Sequence, residues 1–446
     1  MASARNKRIR PTRRGTHAVP AASEPVRDEA AVPLAGRKRK FRLITVGLVL
    51  LVCWGIPEGI VRLANPPLEA FKAIYFAGDP NSPKLFMKDW RLHWKLRPGV
   101  ATDFLKVAVR TNRYGFRGAD PEPGRRVVLC MGDSTPFGWR VEESDSFPVK
   151  LQARLDAVAK SAKTWNVINA GVPGYTSFQL RLQAEQLVAR WKPAVLVVCV
   201  GNNEAWPVEH SDRQVDAGRA LTGRLGAVLS ASRFLVWAAE KLRREAPRPF
   251  IAPALESAVP RVSREEFGEN LRAIARAARA ANAHLVFLSP PVNLYWPPTR
   301  FNQFAGWEKW QEFYQSMQDL RATGDANELL ARATTALAEH PDSFYALWIK
   351  GSVLTDVGDV DGGRELLEQA IEHHPFPENC RRSYRQVVAE VAQDVKAGFV
   401  DVNALFIQHA ERPIPQHLYL DWCHPTPQGH AIIADALFEK LAGEGN

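Results

Sequence analysis

A serine hydroxyl becomes a useful nucleophile only when three other groups serve it: a base to take its proton, a group to orient that base, and donors for the oxyanion. Ser134 lies in GDSTPFGW at 132–139, directly after the apolar run VVLCM at 127–131. A short β-branched run ending in Gly-Asp reads as a parallel strand meeting its C-terminal turn, which is where open α/β sheets place ligands. Far along the chain, DWCHPTPQGH at 421–430 sets Asp421 three residues before His424, close enough for the carboxylate to hold the imidazole tautomer that serine activation needs. Two further apolar runs end on groups suited to a site. One ends INAGVPGY, where Gly171 and Gly174 let the backbone approach a ligand. The other ends GNNE, with the amides of Asn202 and Asn203 just past the run.

Bringing residues 134 and 424 together requires a scaffold, and the sequence from 125 onward has the rhythm of one. RRVVLCM leads to GDS, and the helical stretch FPVKLQARLDAVAK precedes a strand TWNVINAG at 164–171. The helix SFQLRLQAEQLVARW leads into PAVLVVCVGNNE at 193–204, and 265–291 adds another helix and strand. GFVDVNALF at 398–406 reads as a fifth strand and TPQGHAIIADALFEKLA at 426–442 as a closing helix. Alternating strands and helices predict a doubly wound parallel sheet with helices on both faces.

With these blocks in this order, the sequence resembles the SGNH hydrolase superfamily, also called GDSL hydrolases, whose members share four short blocks on a flavodoxin-like sheet. The blocks are GDS at 132–134, NAGVPG with Gly171, GNNE with Asn203, and DWCH with Asp421 and His424. The resemblance implies that Ser134 is the nucleophile, His424 the general base and Asp421 its orienter. It implies oxyanion donors from the backbone N–H groups of Ser134 and Gly171 and the side-chain amide of Asn203, with Asn202 as the alternative amide. No cofactor and no metal follow from it. The third block departs from the usual GxND at Glu204, and TNRYGFRG at 111–118 is similar to a segment preceding GDS in membrane-anchored members. His430 has no acid at the spacing Asp421 has from His424 and is read as a residue opening the last helix, while Cys423 is read as a packed small residue.

Composition narrows the setting. The chain has 446 residues, 46% hydrophobic and 24% charged, enough for two or three domains with a real core. Its net charge of +10 is uneven: residues 1–42 carry 12 Lys or Arg against Glu24, Asp28 and Glu29, leaving about +1 for the remainder. A basic tail is not the basic face that nucleic-acid binding requires, so no nucleic-acid partner is expected. RKRKFR at 37–42 abuts 15 uncharged residues, 43–57, and the apolar stretch continues to Ala64 with Glu58 and Arg62 near one end. That length predicts a bilayer-spanning anchor, and the flanking cations put the N-terminus in the cytoplasm and the rest outside it, in the periplasm of a Gram-negative cell. A cleaved signal peptide or a core helix are the competing readings; no A-x-A site follows. The five cysteines, at 53, 130, 199, 380 and 423, suggest neither a disulfide pattern nor a zinc site.

A second architecture interrupts the first. GDANELLARATTALAEHP at 324–341 and GDVDGGRELLEQAIEHHP at 358–375 recur at a period of 34, matching Gly324 with Gly358, Ala336 with Ala370 and Pro341 with Pro375. This resembles tetratricopeptide repeats; a plain helical hairpin is the simpler reading. The aromatic-rich run at 294–310 lies at the join and suits a carbohydrate or acyl-chain site or packing for the insertion. The expected divisions are a basic disordered cytoplasmic tail (1–42), a transmembrane anchor (43–64), an N-terminal extension (65–123), a first part of the hydrolase domain (124–303), a tetratricopeptide-like insertion (304–378) and a second part of the hydrolase domain (379–446). The expected activity is that of an anchored serine esterase acting outside the cytoplasm on O-acyl or acetyl esters, including acylated glycans. Two alternatives are an O-acyltransferase modifying an envelope polysaccharide or exopolysaccharide, and a non-catalytic assembly protein whose repeats recruit a protein partner.

Overall fold

The run from Val127 to Met131 is apolar without interruption because the strand it forms is covered on both faces. In the computed structural model, which describes residues 34–64, 79–89, 91–158, 164–220, 232–242, 258–298, 308–410 and 415–443, that strand is β1 (Arg126–Gly132). It is joined by β2 (Trp165–Gly171), β3 (Val195–Cys199), β4 (His284–Leu288) and β5 (Gly398–Val400). All pairings are parallel and the order is β2-β1-β3-β4-β5, the doubly wound 2-1-3-4-5 arrangement. Among the helices of the chain are α1 (Ser134–Phe137), α2 (Phe147–Val158), α3 (Ser177–Trp191), α4 (Arg264–Ala280), α5 (Glu308–Thr323), α6 (Ala326–Glu339), α7 (Phe344–Asp356), α8 (Val360–His373), α9 (Arg382–Asp394), α10 (Val402–Gln408) and α11 (Pro427–Gly443).

Side chains alternate across a strand, so each strand feeds two cores. Leu129 and Met131 of β1 pack with α3, α4 and α9 on one face, and Val128 and Cys130 pack with α2, α10 and α11 on the other. The N-terminal extension adds two antiparallel hairpins, Phe86–Asp89 with His93–Leu96 and Ala101–Phe104 with Val107–Arg110, whose Phe86, Leu96, Phe104 and Val109 join the first core. The expected fifth strand over 398–406 is shorter in the structure. It ends at Val400 because the Asp401 carboxylate accepts the N–H groups of Asn403 and Ala404 and starts α10 there.

Between β4 and α9, helices α5 to α8 share an apolar cluster of their own around Leu329, Tyr345, Trp348 and Leu367. Their repeat is visible in backbone detail. Gly324 and Gly358 both have positive φ, 76° and 103°, and Asp325 and Asp359 cap α6 and α8 through the N–H groups of Glu328 and Gly362.

The chain divides into two units, Met1–Ile60 and Val61–Asn446. A helix occupies Leu34–Leu50, continues through a π turn at Leu51–Gly55 and ends as Ile56–Ala64. Within it, Lys40–Ala64 has a mean hydropathy of 2.0 over its best window and is long and apolar enough to cross a membrane. Residues 1–33 of the expected tail, 65–78 of the extension and 299–307 of the aromatic run lie outside the described residues.

Candidate active site

Gly132, at the end of β1, stands opposite Gly171 of β2 and Cys199 of β3, so the three strand ends form one level rim. A Cβ on Gly132 would lie 2.0 Å from the Cys199 carbonyl oxygen and 2.6 Å from Pro136, which leaves glycine as the residue that fits. The chain then turns into α1, whose cap is Asp133: its carboxylate accepts the Thr135 N–H at 2.9 Å. Burial pushes that carboxyl up to about 6, against the pull of the Thr135 N–H and His424. Ser134 opens α1, and its N–H has no partner among the described residues.

The turn places Ser134 against the other end of the chain. Its Oγ lies 2.7 Å from Nε2 of His424, and Nδ1 of that ring lies 2.8 and 2.9 Å from the two carboxylate oxygens of Asp421. All three residues are buried. Asp421 Oδ1 also accepts the N–H groups of Cys423 and His424 at 3.1 and 3.0 Å. Burial alone would raise the Asp421 carboxyl, but the His424 ring and these N–H groups outweigh it and hold it below its usual range. An ionised Asp421 accepts a hydrogen bond from Nδ1–H of His424, which leaves Nε2 as the acceptor for the Ser134 hydroxyl. Asp421, Cys423 and His424 gather potential ligand atoms within 4.8 Å of one another, with the Asp421 carboxylate engaged by the His424 ring; burial pushes the Cys423 thiol up.

The four expected oxyanion and amide positions separate clearly. The Gly171 N–H donates to Asn169 Oδ1 at 3.1 Å and so is already engaged, contrary to its expected role as an open donor. Three residues on, Gly174 has φ 79° and an N–H with no partner among the described residues. Asn203 Nδ2 donates to the Tyr175 carbonyl at 3.0 Å, which uses one of its two hydrogens. Asn202 is buried with neither side-chain atom bonded to a described protein group. Glu204 explains its departure from GxND: one carboxylate oxygen accepts the Ser177 N–H at the start of α3 and the other the Asn203 N–H. Burial pushes this carboxyl up to about 8 while those N–H groups oppose the shift.

Several contacts were not legible as site residues. Trp139 stacks on the His424 ring, centroids 5.2 Å apart and planes at 19°, and Trp422 meets it edge-on at 5.9 Å. Trp296, from the aromatic run, in turn meets Trp422 at 6.2 Å and lines a cleft with Trp348 of α7 and Asn379. Arg117 of TNRYGFRG is buried and donates to the carbonyls of Phe137, Gly138 and Val141, so it grips the segment just after Ser134. Burial lowers this guanidinium to about 10. His430 is placed in α11, as expected, where Nδ1 accepts the Phe147 N–H at 3.3 Å; burial holds its ring down at about 3.

Comparison with known proteins adds a family. Residues 130–354 match the profile of the GDSL-like lipase/acylhydrolase family, half of the chain. Among solved structures, the chain is similar to a catalytic mutant of an acetylxylan esterase from Geobacillus stearothermophilus at 15% identity, covering 71% of this chain and 93% of that one with a TM-score of 0.36. A structure titled TesA matches at 14% identity over 71% of this chain and 98% of that one, TM-score 0.33. An alpha/beta hydrolase from the metagenome of Lake Arreo, Spain, matches at 14% over 70% and 94%, TM-score 0.36. No curated protein matches the chain.

Proposed function

Because the chain belongs to the GDSL-like lipase/acylhydrolase family and is therefore an ester-acting hydrolase, we propose that Ser134, His424 and Asp421 form its catalytic triad. The observation that carries this reading is the continuous line of hydrogen bonds from Asp421 through both ring nitrogens of His424 to Ser134 Oγ. Ser134 Oγ attacks the ester carbonyl as its proton passes to His424 Nε2, and Asp421 stabilises the imidazolium. The tetrahedral oxyanion is met by the N–H groups of Ser134 and Gly174 and by the second hydrogen of Asn203 Nδ2; the engaged Gly171 N–H plays no part. The ester C–O bond then breaks, the leaving alkoxide takes the proton from Nε2, and an acyl group remains on Ser134. Water, activated by His424 in turn, attacks that acyl-enzyme and releases the acid.

The indoles of Trp139 and Trp422 beside His424, with Trp296 against Trp422, favour an acylated glycan as the ester-bearing substrate, since sugar rings pack their C–H faces on aromatic surfaces. The length and hydropathy of Lys40–Ala64, flanked by the cations of 37–42, favour an anchored enzyme with its catalytic domain outside the cytoplasm. The 34-residue register of α6 and α8 favours a tetratricopeptide-like insertion that binds a protein partner.

The test is hydrolysis of short-chain aryl acetates by the full chain in detergent, repeated with acetylated oligosaccharides and with unacetylated oligosaccharide as acceptor. Turnover lost in Ser134→Ala and His424→Ala supports the triad; acetyl transfer to the added oligosaccharide in preference to water identifies a transferase. Wild-type turnover equalled by Ser134→Ala overturns the proposal.

A further inference from the structure

The segment Val172-Pro173-Gly174-Tyr175 closes a turn through the Tyr175 N–H to the Val172 carbonyl at 3.2 Å. Proline second and a glycine at φ 79° third make it a type II β-turn. Type I and type II turns differ by a flip of their central peptide, here the one joining Pro173 to Gly174. Its orientation therefore decides which way the Gly174 N–H points. In this structure the turn's successive carbonyls are each held by a different side chain. Trp94 Nε1 donates to Pro173 O at 3.0 Å, Arg261 Nη1 to Gly174 O at 2.8 Å, and Asn203 Nδ2 to Tyr175 O at 3.0 Å. The Gly174 N–H has no partner among the described residues.

We propose that Trp94, in the N-terminal extension, is the positioning residue for the oxyanion-binding peptide, a role that rests on the esterase reading above. A trans peptide directs its N–H opposite to its carbonyl. By binding Pro173 O, the indole fixes the flip and turns the Gly174 N–H away from Trp94, toward the developing oxyanion. Trp94 is itself held: its carbonyl accepts the Tyr175 hydroxyl at 2.6 Å, its ring meets that of Tyr175 at 5.8 Å, and the Arg261 guanidinium lies 5.7 Å from its centroid. Arg261 is anchored by Asp212, with both side chains largely buried. Such support is what a preorganised donor requires, because a peptide free to flip must reorient as charge develops.

The decisive variant is Trp94→Phe, which keeps an aromatic ring against Tyr175 and removes the N–H. With the full chain and an aryl acetate, kcat falls about 10- to 100-fold and KM stays within about twofold, since the lost contact matters only once charge develops on the carbonyl oxygen. Tyr175→Phe, which frees the Trp94 carbonyl and leaves the indole in place, shows the same split with a smaller loss. In the fluorophosphonate adduct of Ser134, whose phosphoryl oxygen occupies the oxyanion position, the ³¹P resonance shifts in Trp94→Phe relative to wild type. A Trp94→Phe enzyme that melts with wild type and keeps its kcat, loses only KM, or leaves the ³¹P shift unmoved overturns the proposal and leaves the triad standing. A wild type that is neither labelled nor active overturns both. Should Trp94→Phe not fold, Tyr175→Phe and its ³¹P shift decide alone.

Discussion

At the carboxyl ends of β1 to β3, the buried residues include Asp133, Ser134, Asn203 and Glu204, with Asp421 and His424 brought against them. In α5 to α8 the buried positions include Leu329, Ala333, Tyr345, Trp348, Ile349 and Leu367, and Glu368 is the one acidic or basic side chain buried there among the described residues. Burying a polar group costs free energy unless it is paired, so a fold concentrates that cost where the groups act on something. At the sheet rim the acids meet this condition, with Asp421 accepting three N–H groups and Glu204 two, while the Asn202 amide stays buried without a bond to a described protein group. The helices satisfy their polar groups locally, through repeated caps at Asp325 and Asp359, and present an ordinary packed core. Their exception ties the two regions together: Glu368 of α8 pairs with the largely buried Arg385 of α9. The contrast supports the proposal that the chemistry is done at the rim and that the helices serve another purpose.

The largest effects break the rim. Ser134→Ala and His424→Ala lower aryl ester turnover by about 10⁵-fold or more and are not additive, and Asp421→Asn lowers it by about 10⁴-fold, because Asn favours the wrong imidazole tautomer. Asn203→Ala comes next, with kcat down about 10²- to 10³-fold and KM little changed. Steady-state kinetics on one aryl acetate ranks all four.

A milder outcome sharpens the comparison from the other side. Replacing 304–378 with a short linker removes the helices between two strands of one sheet, and loop closure costs little. The deletion also removes Glu368, so Arg385→Met is introduced with it to avoid an unpaired buried charge. Aryl ester turnover stays within about tenfold of wild type, while turnover of acetylated oligosaccharide falls further. Equal loss on both substrates would assign the helices to the core.

The smallest effect is on stability. His430 is held neutral in the fold, with its pKa lowered from 6.5 to about 3, so below about pH 6.5 the unfolded chain takes a proton that the folded chain refuses. Its contribution is complete above that pH and declines as pH falls. His430→Gln therefore shows a shallower fall in Tm between about pH 6.5 and 4 than wild type, measured by thermal melts across the range.

Much of the rim was legible because strand ends announce themselves: apolar runs stop at Gly132, Gly171 and Gly201, and the polar residues that follow face the same side of a parallel sheet. Choosing between Gly171 and Gly174 was not, since both lie in INAGVPGY and the choice turns on where the Asn169 side chain goes. The shortening of β5 had a signal, an Asp at 401 placed to cap a helix, overridden in the reading by the apolar pattern around it. Trp139, Arg117 and Trp94 act through contacts at long sequence separation or across a turn, and no periodicity marks them.

Treating the full chain with a fluorophosphonate probe and locating the adduct by peptide mass spectrometry tests the central claim most directly. A single adduct on Ser134, absent in Ser134→Ala and strongly slowed in His424→Ala, is the predicted result; a folded wild type that stays unmodified at Ser134 would contradict it.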